Sequence, residues 1–214
     1  GDKVIVCQNG VFGGRMKENV ERCGATPIMV IDRWGDPVDP EKLEAAIKAH
    51  PDAKVVAFVH AETSTGVRSD AQTLCHLAKS AGMLVIMDAV TSLAGIELKA
   101  DDWGADVVYS GTQKCLSGLP GISPITFSND AVAAIKARKH KVQSWFLDMN
   151  LIMGYWGEGT KRSYHHTAPV NAVYALHEAL LMLEEEGLEA SFARHKANHL
   201  SLANGLSQLG LELA

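Results

Sequence analysis

Short apolar runs rich in β-branched residues, set apart by stretches that read as helices, constrain the fold of this chain most strongly. They are Val4–Cys7, Pro27–Ile31, Val55–Val59, Met83–Met87, Ala105–Tyr109 and Ile122–Phe127. Most lack the period-two alternation of a half-exposed strand, so each is expected to be a strand covered on both faces. Asp39-Pro40 supplies an N-cap side chain and a first-position proline, which together start a helix. Ser69-Asp-Ala-Gln72 has the spacing of a capping box and predicts a helix running to about Ala81, stopped by Gly82. Strands and helices that alternate in this way predict an α/β fold, a mostly parallel sheet flanked by helices.

The pattern changes after about residue 145. Val170–Glu186 places Val173, Leu176, Leu180 and Leu183 on one helical face. A second helix, from about Glu189 to Gly205, is expected to lead out of the sheet domain. Residues 1–188 then form a large domain, and residues 189–214 begin an incomplete second one. The chain opens almost directly on a strand and closes on Leu209-Gly-Leu-Glu-Leu-Ala214, which reads as a helix end followed by a new strand. Both ends are expected to be cut from a longer polypeptide, the large domain lacking its N-terminal part.

Composition narrows the function classes. A length of 214 residues allows one sizeable core, and 47% hydrophobic with 21% charged residues is ordinary for a globular protein. A net charge of −5 argues against nucleic-acid binding, which favours a basic face. No apolar run approaches the roughly 20 residues of a membrane span. The first residues lack a secretory pattern. Cys7, Cys23, Cys75 and Cys115 lie far apart without a C-x-x-C spacing, so free thiols in a reducing compartment are expected, the cytoplasm or, in a eukaryote, alternatively a peroxisome or mitochondrion.

In a parallel sheet, ligands gather at the carboxyl ends of the strands. His60-Ala-Glu-Thr63, Asp88-Ala-Val-Thr91 and Ser110-Gly-Thr-Gln-Lys114 all fall at such ends. Asp88 closes an apolar run, and Lys114 lies in a small polar loop. A pyridoxal phosphate enzyme needs such a pair: an amine to bind the cofactor aldehyde as a Schiff base, and a carboxylate to keep the ring nitrogen protonated. Taken singly, the two also fit a strand-end turn aspartate and a solvated lysine. Ser110, Thr112 and Gln113 offer two hydroxyls and an amide to phosphate oxygens, and Gly118-Leu-Pro-Gly121 offers a rigid turn.

Asn9-Gly-Val-Phe-Gly-Gly-Arg15 follows the first strand but is neither G-x-G-x-x-G nor a Walker A motif, which disfavours a nucleotide-dependent dehydrogenase. Its glycines either let the backbone bend so that Phe12 lies flat on a ligand ring, or leave Phe12 in the core. Tyr164-His-His-Thr167 points adjacent histidines to different sides without a flanking ligand cluster, so no metal is expected. Hydroxyls of Tyr164 and Thr167 meeting an anion fit better. Arg15, Arg68 and Arg162 could each bind a carboxylate, and the sequence does not rank them.

Taken in order, Asn9–Arg15, Glu62–Val67, Met87–Gly95, Tyr109–Lys114, Pro120-Gly121 and Tyr164–Pro169 resemble the class V aminotransferases of pyridoxal phosphate fold type I. The likeness is greatest to the alanine–glyoxylate, serine–glyoxylate and serine–pyruvate branch. It implies that Lys114 is the Schiff-base lysine, Asp88 the ring-nitrogen partner and residues 1–188 the cofactor-binding large domain. Phe12 would stack on one ring face, where relatives often carry tryptophan, and Val90 would pack on the other. Thr63 would sit near the ring 3′-oxygen and Gln113 at the phosphate. Tyr164 and Thr167 would reach the phosphate of the partner subunit's cofactor, which implies a homodimer. Glu62 lies in a matched motif without a catalytic step.

The activity implied is ping-pong transfer of an amino group from alanine or serine to glyoxylate or pyruvate, with the Lys114 amine as base. Aspartate–glyoxylate, ureidoglycine–glyoxylate and aminoethylphosphonate–pyruvate transaminases are alternatives, as is a truncated, non-catalytic cofactor-binding or dimerisation domain. A cysteine desulfurase is disfavoured, because the only later cysteine, Cys115, sits beside the lysine. Leu119 stands where relatives commonly have the first proline of a Pro-Pro-Gly turn. The family's phosphate-binding small-residue loop and its substrate-carboxylate arginine are expected outside residues 1–214.

Overall fold

Every apolar run becomes a strand in the computed structural model, which describes residues 1–156 and 163–213. In chain order the elements are β1 (Lys3–Gln8), α1 (Val11–Arg22), β2 (Thr26–Ile31), α2 (Pro40–Ala49), β3 (Val55–Val59), β4 (Ala61–Glu62), β5 (Val67–Arg68), α3 (Ala71–Ser80) and β6 (Leu84–Asp88). They continue as α4 (Ala100–Trp103), β7 (Val107–Tyr109), β8 (Ile125–Phe127), α5 (Asn129–Lys136), α6 (Met149–Trp156), α7 (Val170–Glu186) and α8 (Leu188–Gln208). The main sheet has the order β2-β1-β3-β6-β7-β8, parallel except for β8, which runs antiparallel to β7. Arg162 lies outside the described residues.

Alternation along the strands separates two apolar layers. Ile5, Cys7, Val56, Phe58, Val85 and Met87 face the layer that holds Leu43 of α2, Leu74 of α3 and Trp103 of α4. Val4, Val6, Ala57 and Val59 face the other layer, with Met16 and Phe12 of α1. Burial of both faces explains why the strands lack a polar face in the sequence.

Asp39 caps α2 as expected, its Oδ1 accepting from the Glu41 amide at 2.8 Å ahead of Pro40. The Ser69 capping box does not form. Asp70 caps α3 instead, accepting from the Thr73 amide at 3.1 Å. A carboxylate one residue later is the better acceptor for the helix start. Ser69 Oγ is drawn inward, where it accepts from the buried Val38 amide at 3.1 Å. Gly82, with φ near 72°, lies just beyond α3, a left-handed conformation that glycine adopts without strain.

The span of α7 matches the sequence expectation, but its apolar face is only partly covered. Leu176 and Leu183 are half-buried while Val173 and Leu180 remain exposed, and α7 packs on α8. Residues 211–213 form no strand. Among the described residues no helix is long and apolar enough to cross a membrane.

Gly13 sets the distance between α1 and the sheet. A Cβ there would lie 2.7 Å from Gln8 Cα and 2.9 Å from the Cys7 carbonyl oxygen, both backbone atoms. Gly13→Ala is therefore expected to lower stability by about 1–3 kcal/mol, the usual cost of overpacking, as a lower urea midpoint at unchanged slope.

Candidate active site

Parallel pairing brings the carboxyl ends of β3, β6 and β7 side by side, with Val59 opposite Asp88 and Asp88 opposite Tyr109. Ile86 and Tyr109 belong to the α1 layer, so period two turns Asp88 toward that same face. His60, next to Phe58 in the other register, turns to the opposite face. It stacks edge-on against Trp103 at 5.6 Å, and burial lowers its pKa to about 4, so it is neutral at pH 7.

Asp88 is 4% exposed. Its Oδ1 accepts from the Val90 amide at 2.8 Å and its Oδ2 from the Tyr109 hydroxyl at 2.8 Å. Burial raises its pKa above the ordinary carboxylate value, the two hydrogen bonds oppose that rise, and the nearby Glu62 charge adds to it. Tyr109 is raised as well, by burial and then by Asp88. Among the described residues no lysine or arginine pairs with Asp88. A buried carboxylate with neutral donors and a second negative charge nearby is a place prepared for a cation.

The loops around Asp88 are tied together. The Thr91 hydroxyl donates to the Ala61 carbonyl at 2.6 Å and lies 3.5 Å from the Thr63 hydroxyl. Cys115 Sγ donates to the Thr91 carbonyl at 3.5 Å, which anchors the loop that carries Lys114. Val90 is half-buried beside Asp88, and Thr63 is exposed at the tip of the turn joining β4 to β5. That small hairpin was not read from the sequence. Gly66, at φ near 75°, closes it, with its amide on the Glu62 carbonyl at 2.8 Å.

Lys114 is exposed, and among the described residues its amine makes no hydrogen bond or ion pair. Its loop is held from below. The Thr112 side chain, fully buried, donates to the carbonyls of Leu119 and Ile122. The Lys114 carbonyl accepts from Ser117, and that of Thr112 from Gly118. Ser110 donates to the Ala89 carbonyl at 3.0 Å. Both hydroxyls expected to meet phosphate therefore brace the loop, because burial requires each to satisfy a nearby carbonyl. Gln113 remains exposed, its amide lying over Gly111.

None of the glycines near Phe12 takes the left-handed conformation; Gly10 is extended at φ 179°, and Gly10 and Gly13 permit close approach. Phe12, half-buried in the first turn of α1, has the Arg15 guanidinium 4.8 Å from its ring centroid. Among the described residues Tyr164 and Thr167 make no hydrogen bond to this group. Their hydroxyls are 2.8 Å from each other on the exposed surface, while His165 is buried and stacks on Trp145 at 4.2 Å. Among the described residues no group of three histidine, cysteine or acidic side chains could hold a metal.

Comparison with known proteins gives these positions a context. A model of the class V aminotransferase family matches residues 1–213. The alanine–glyoxylate aminotransferase of Oryctolagus cuniculus is 39% identical, over 100% of this chain and 54% of its own. The (S)-ureidoglycine–glyoxylate transaminase of Bacillus subtilis is 36% identical, over 99% of this chain and 55% of its own. The crystal structure of an alanine–glyoxylate aminotransferase from Nostoc sp. superposes with a TM-score of 0.95 at 41% identity, covering 100% of this chain and 56% of its own. The chain thus spans about half the length of the relatives it matches.

Because the native state holds the Asp88 proton more tightly than the unfolded chain, stability falls as pH rises from the ordinary carboxylate value through the raised one. Above that window the deficit is complete. Asp88→Asn is therefore expected to raise the melting temperature of the ligand-free protein at pH 7 and to leave it unchanged or lower at pH 3, as read by differential scanning fluorimetry.

Proposed function

The chain belongs to the class V aminotransferases, and on that premise we propose that it carries the cofactor-binding part of a pyridoxal phosphate enzyme. The reaction is transfer of the amino group of a small amino acid, alanine or serine, to glyoxylate or pyruvate. The observation that carries this reading is the buried Asp88 carboxylate, set at a strand end with neutral donors, an adjacent negative charge and, among the described residues, no paired cation. Those features fit a protonated pyridine nitrogen. The cofactor, when bound, supplies an aldehyde carbon for the amino group and a pyridinium ring that withdraws electrons from it.

The chain's own residues then divide the work. Asp88 holds the charge of the ring-nitrogen proton. The Val90 amide and the Tyr109 hydroxyl fix the carboxylate for that contact. Lys114 would hold the cofactor through its amine and, when that amine is free, would move a proton at the substrate α-carbon. Its freedom from hydrogen bonds and ion pairs among the described residues suits it to both tasks. Phe12 and Val90 would hold the two ring faces, Thr63 would serve the 3′-oxygen, and Gln113 would bind the phosphate.

Tyr164 and Thr167 would reach the phosphate held by a partner subunit. Their exposed, paired hydroxyls and the uncovered apolar side chains of α7 support a homodimer. Residues 1–188 are assigned to the cofactor-binding domain and residues 189–214 to the start of the small domain, with α7 and α8 meeting at Gly187. Transfer from ureidoglycine is the second reading, favoured by the Bacillus subtilis relative.

Borohydride treatment of the protein with pyridoxal phosphate, followed by peptide mass mapping, is expected to label Lys114 and no other lysine. Lys114→Ala is expected to lose the label and to slow the half-reaction with alanine or serine by about 10²–10⁴-fold, the range for a general base. A label elsewhere would overturn the lysine assignment. Turnover with ureidoglycine but with neither amino acid would favour the second reading.

A further inference from the structure

Glu62 is a charged side chain with 1% exposure, and among the described residues no lysine or arginine pairs with it. Its carboxylate is instead filled by donors from the distant start of α1 and from Ser64 in its own turn. Oε2 accepts from the amides of Phe12 at 3.2 Å and Gly13 at 3.3 Å. Oε1 accepts from the Ser64 amide at 3.1 Å and the Ser64 hydroxyl at 2.7 Å. Ser64 Oγ in turn accepts from the Val11 amide at 3.0 Å. The opening amides of α1 are thus all satisfied by the β4–β5 turn.

The helix has no cap of its own. Gly10 at its N-cap offers no side chain, and the first turn contains no acidic residue. A serine or aspartate at position 10 would be the ordinary solution. Here it is excluded, because a Cβ on Gly10 would lie 2.4 Å from Glu62 Cγ and 2.6 Å from Ser64 Oγ. The helix start is therefore delegated to a carboxylate that sits between Phe12 and Thr63 in the contact network. A negative charge at a helix N-terminus is favourable there, and the same charge strengthens the hold of Asp88 on a proton.

We propose that Glu62 is a positioning residue: by holding the amides of Phe12 and Gly13 it sets the Phe12 ring in its stacking place and couples it to the turn that carries Thr63. This role rests on the cofactor reading above. If Glu62 acts through Phe12, its removal matters to the cofactor only while the ring is present.

The test is a double-mutant cycle in the full chain, read by titrating cofactor-free protein with pyridoxal phosphate. Glu62→Gln keeps the volume and one acceptor oxygen. It is expected to weaken binding about tenfold in the parent, the size of one charge-assisted hydrogen bond, and less than about twofold in a Phe12→Ala background. Equal losses in both backgrounds would overturn the proposal, since a general loss of structure acts regardless of Phe12. Should Glu62→Gln fail to fold, Ser64→Ala removes the 2.7 Å partner of Glu62 and runs the same cycle with a smaller effect.

Amide exchange at Phe12 and Gly13, which needs no cofactor, is expected to quicken in Glu62→Gln; unchanged exchange would overturn the cap. A parent that binds no pyridoxal phosphate would overturn the cofactor reading and this role with it, while the exchange data alone decide whether the cap exists.

Discussion

Asp88 ends a central strand with its carboxylate turned toward the α1 face, where burial opposes its charge and Glu62 adds a second negative field. Much of the site geometry follows from accommodating those two groups. Val90 and Tyr109 supply neutral donors to Asp88, and the α1 amides supply them to Glu62. Backbone amides and the hydroxyls of Tyr109 and Ser64 thereby satisfy the carboxylates without neutralising them. A site arranged in this way favours a cationic ligand atom, and that preference links the packing of the sheet to the chemistry proposed for it.

The surrounding loops are built to hold still. Thr91 ties the turn at Thr63 to the segment after Asp88, and Cys115 ties the lysine loop to Thr91. Thr112 braces the same loop from within. Lys114 and Gln113 are left on the outer side, exposed and available. Among the described residues the Lys114 amine is unpaired above this braced loop, which suits the role proposed for it.

Much of this was legible in the sequence, for definite reasons. Doubly buried strands carry β-branched runs that the chain cannot hide, and their carboxyl ends located Asp88 and Lys114. The parts that escaped depend on contacts between distant residues. The β4–β5 hairpin has strands of two residues each, too short for any periodicity. Thr112 and Ser110 read as phosphate ligands because only the folded loop shows which carbonyls they must satisfy. Ser69 lost the cap to Asp70 for a similar reason, being needed by Val38 across the layer. Glu62 caps a helix some fifty residues before it, and the one trace of this in the sequence was a glycine where α1 should have carried its own cap.

The central claim is that Asp88 governs the protonation of a pyridine nitrogen at this strand end. The most direct measurement is the ¹⁵N chemical shift of ring-labelled pyridoxal phosphate bound to the parent chain and to Asp88→Asn, followed across neutral pH. The result expected is a ring nitrogen that stays protonated in the parent and loses its proton in Asp88→Asn. A nitrogen that titrates alike in both proteins would contradict the claim.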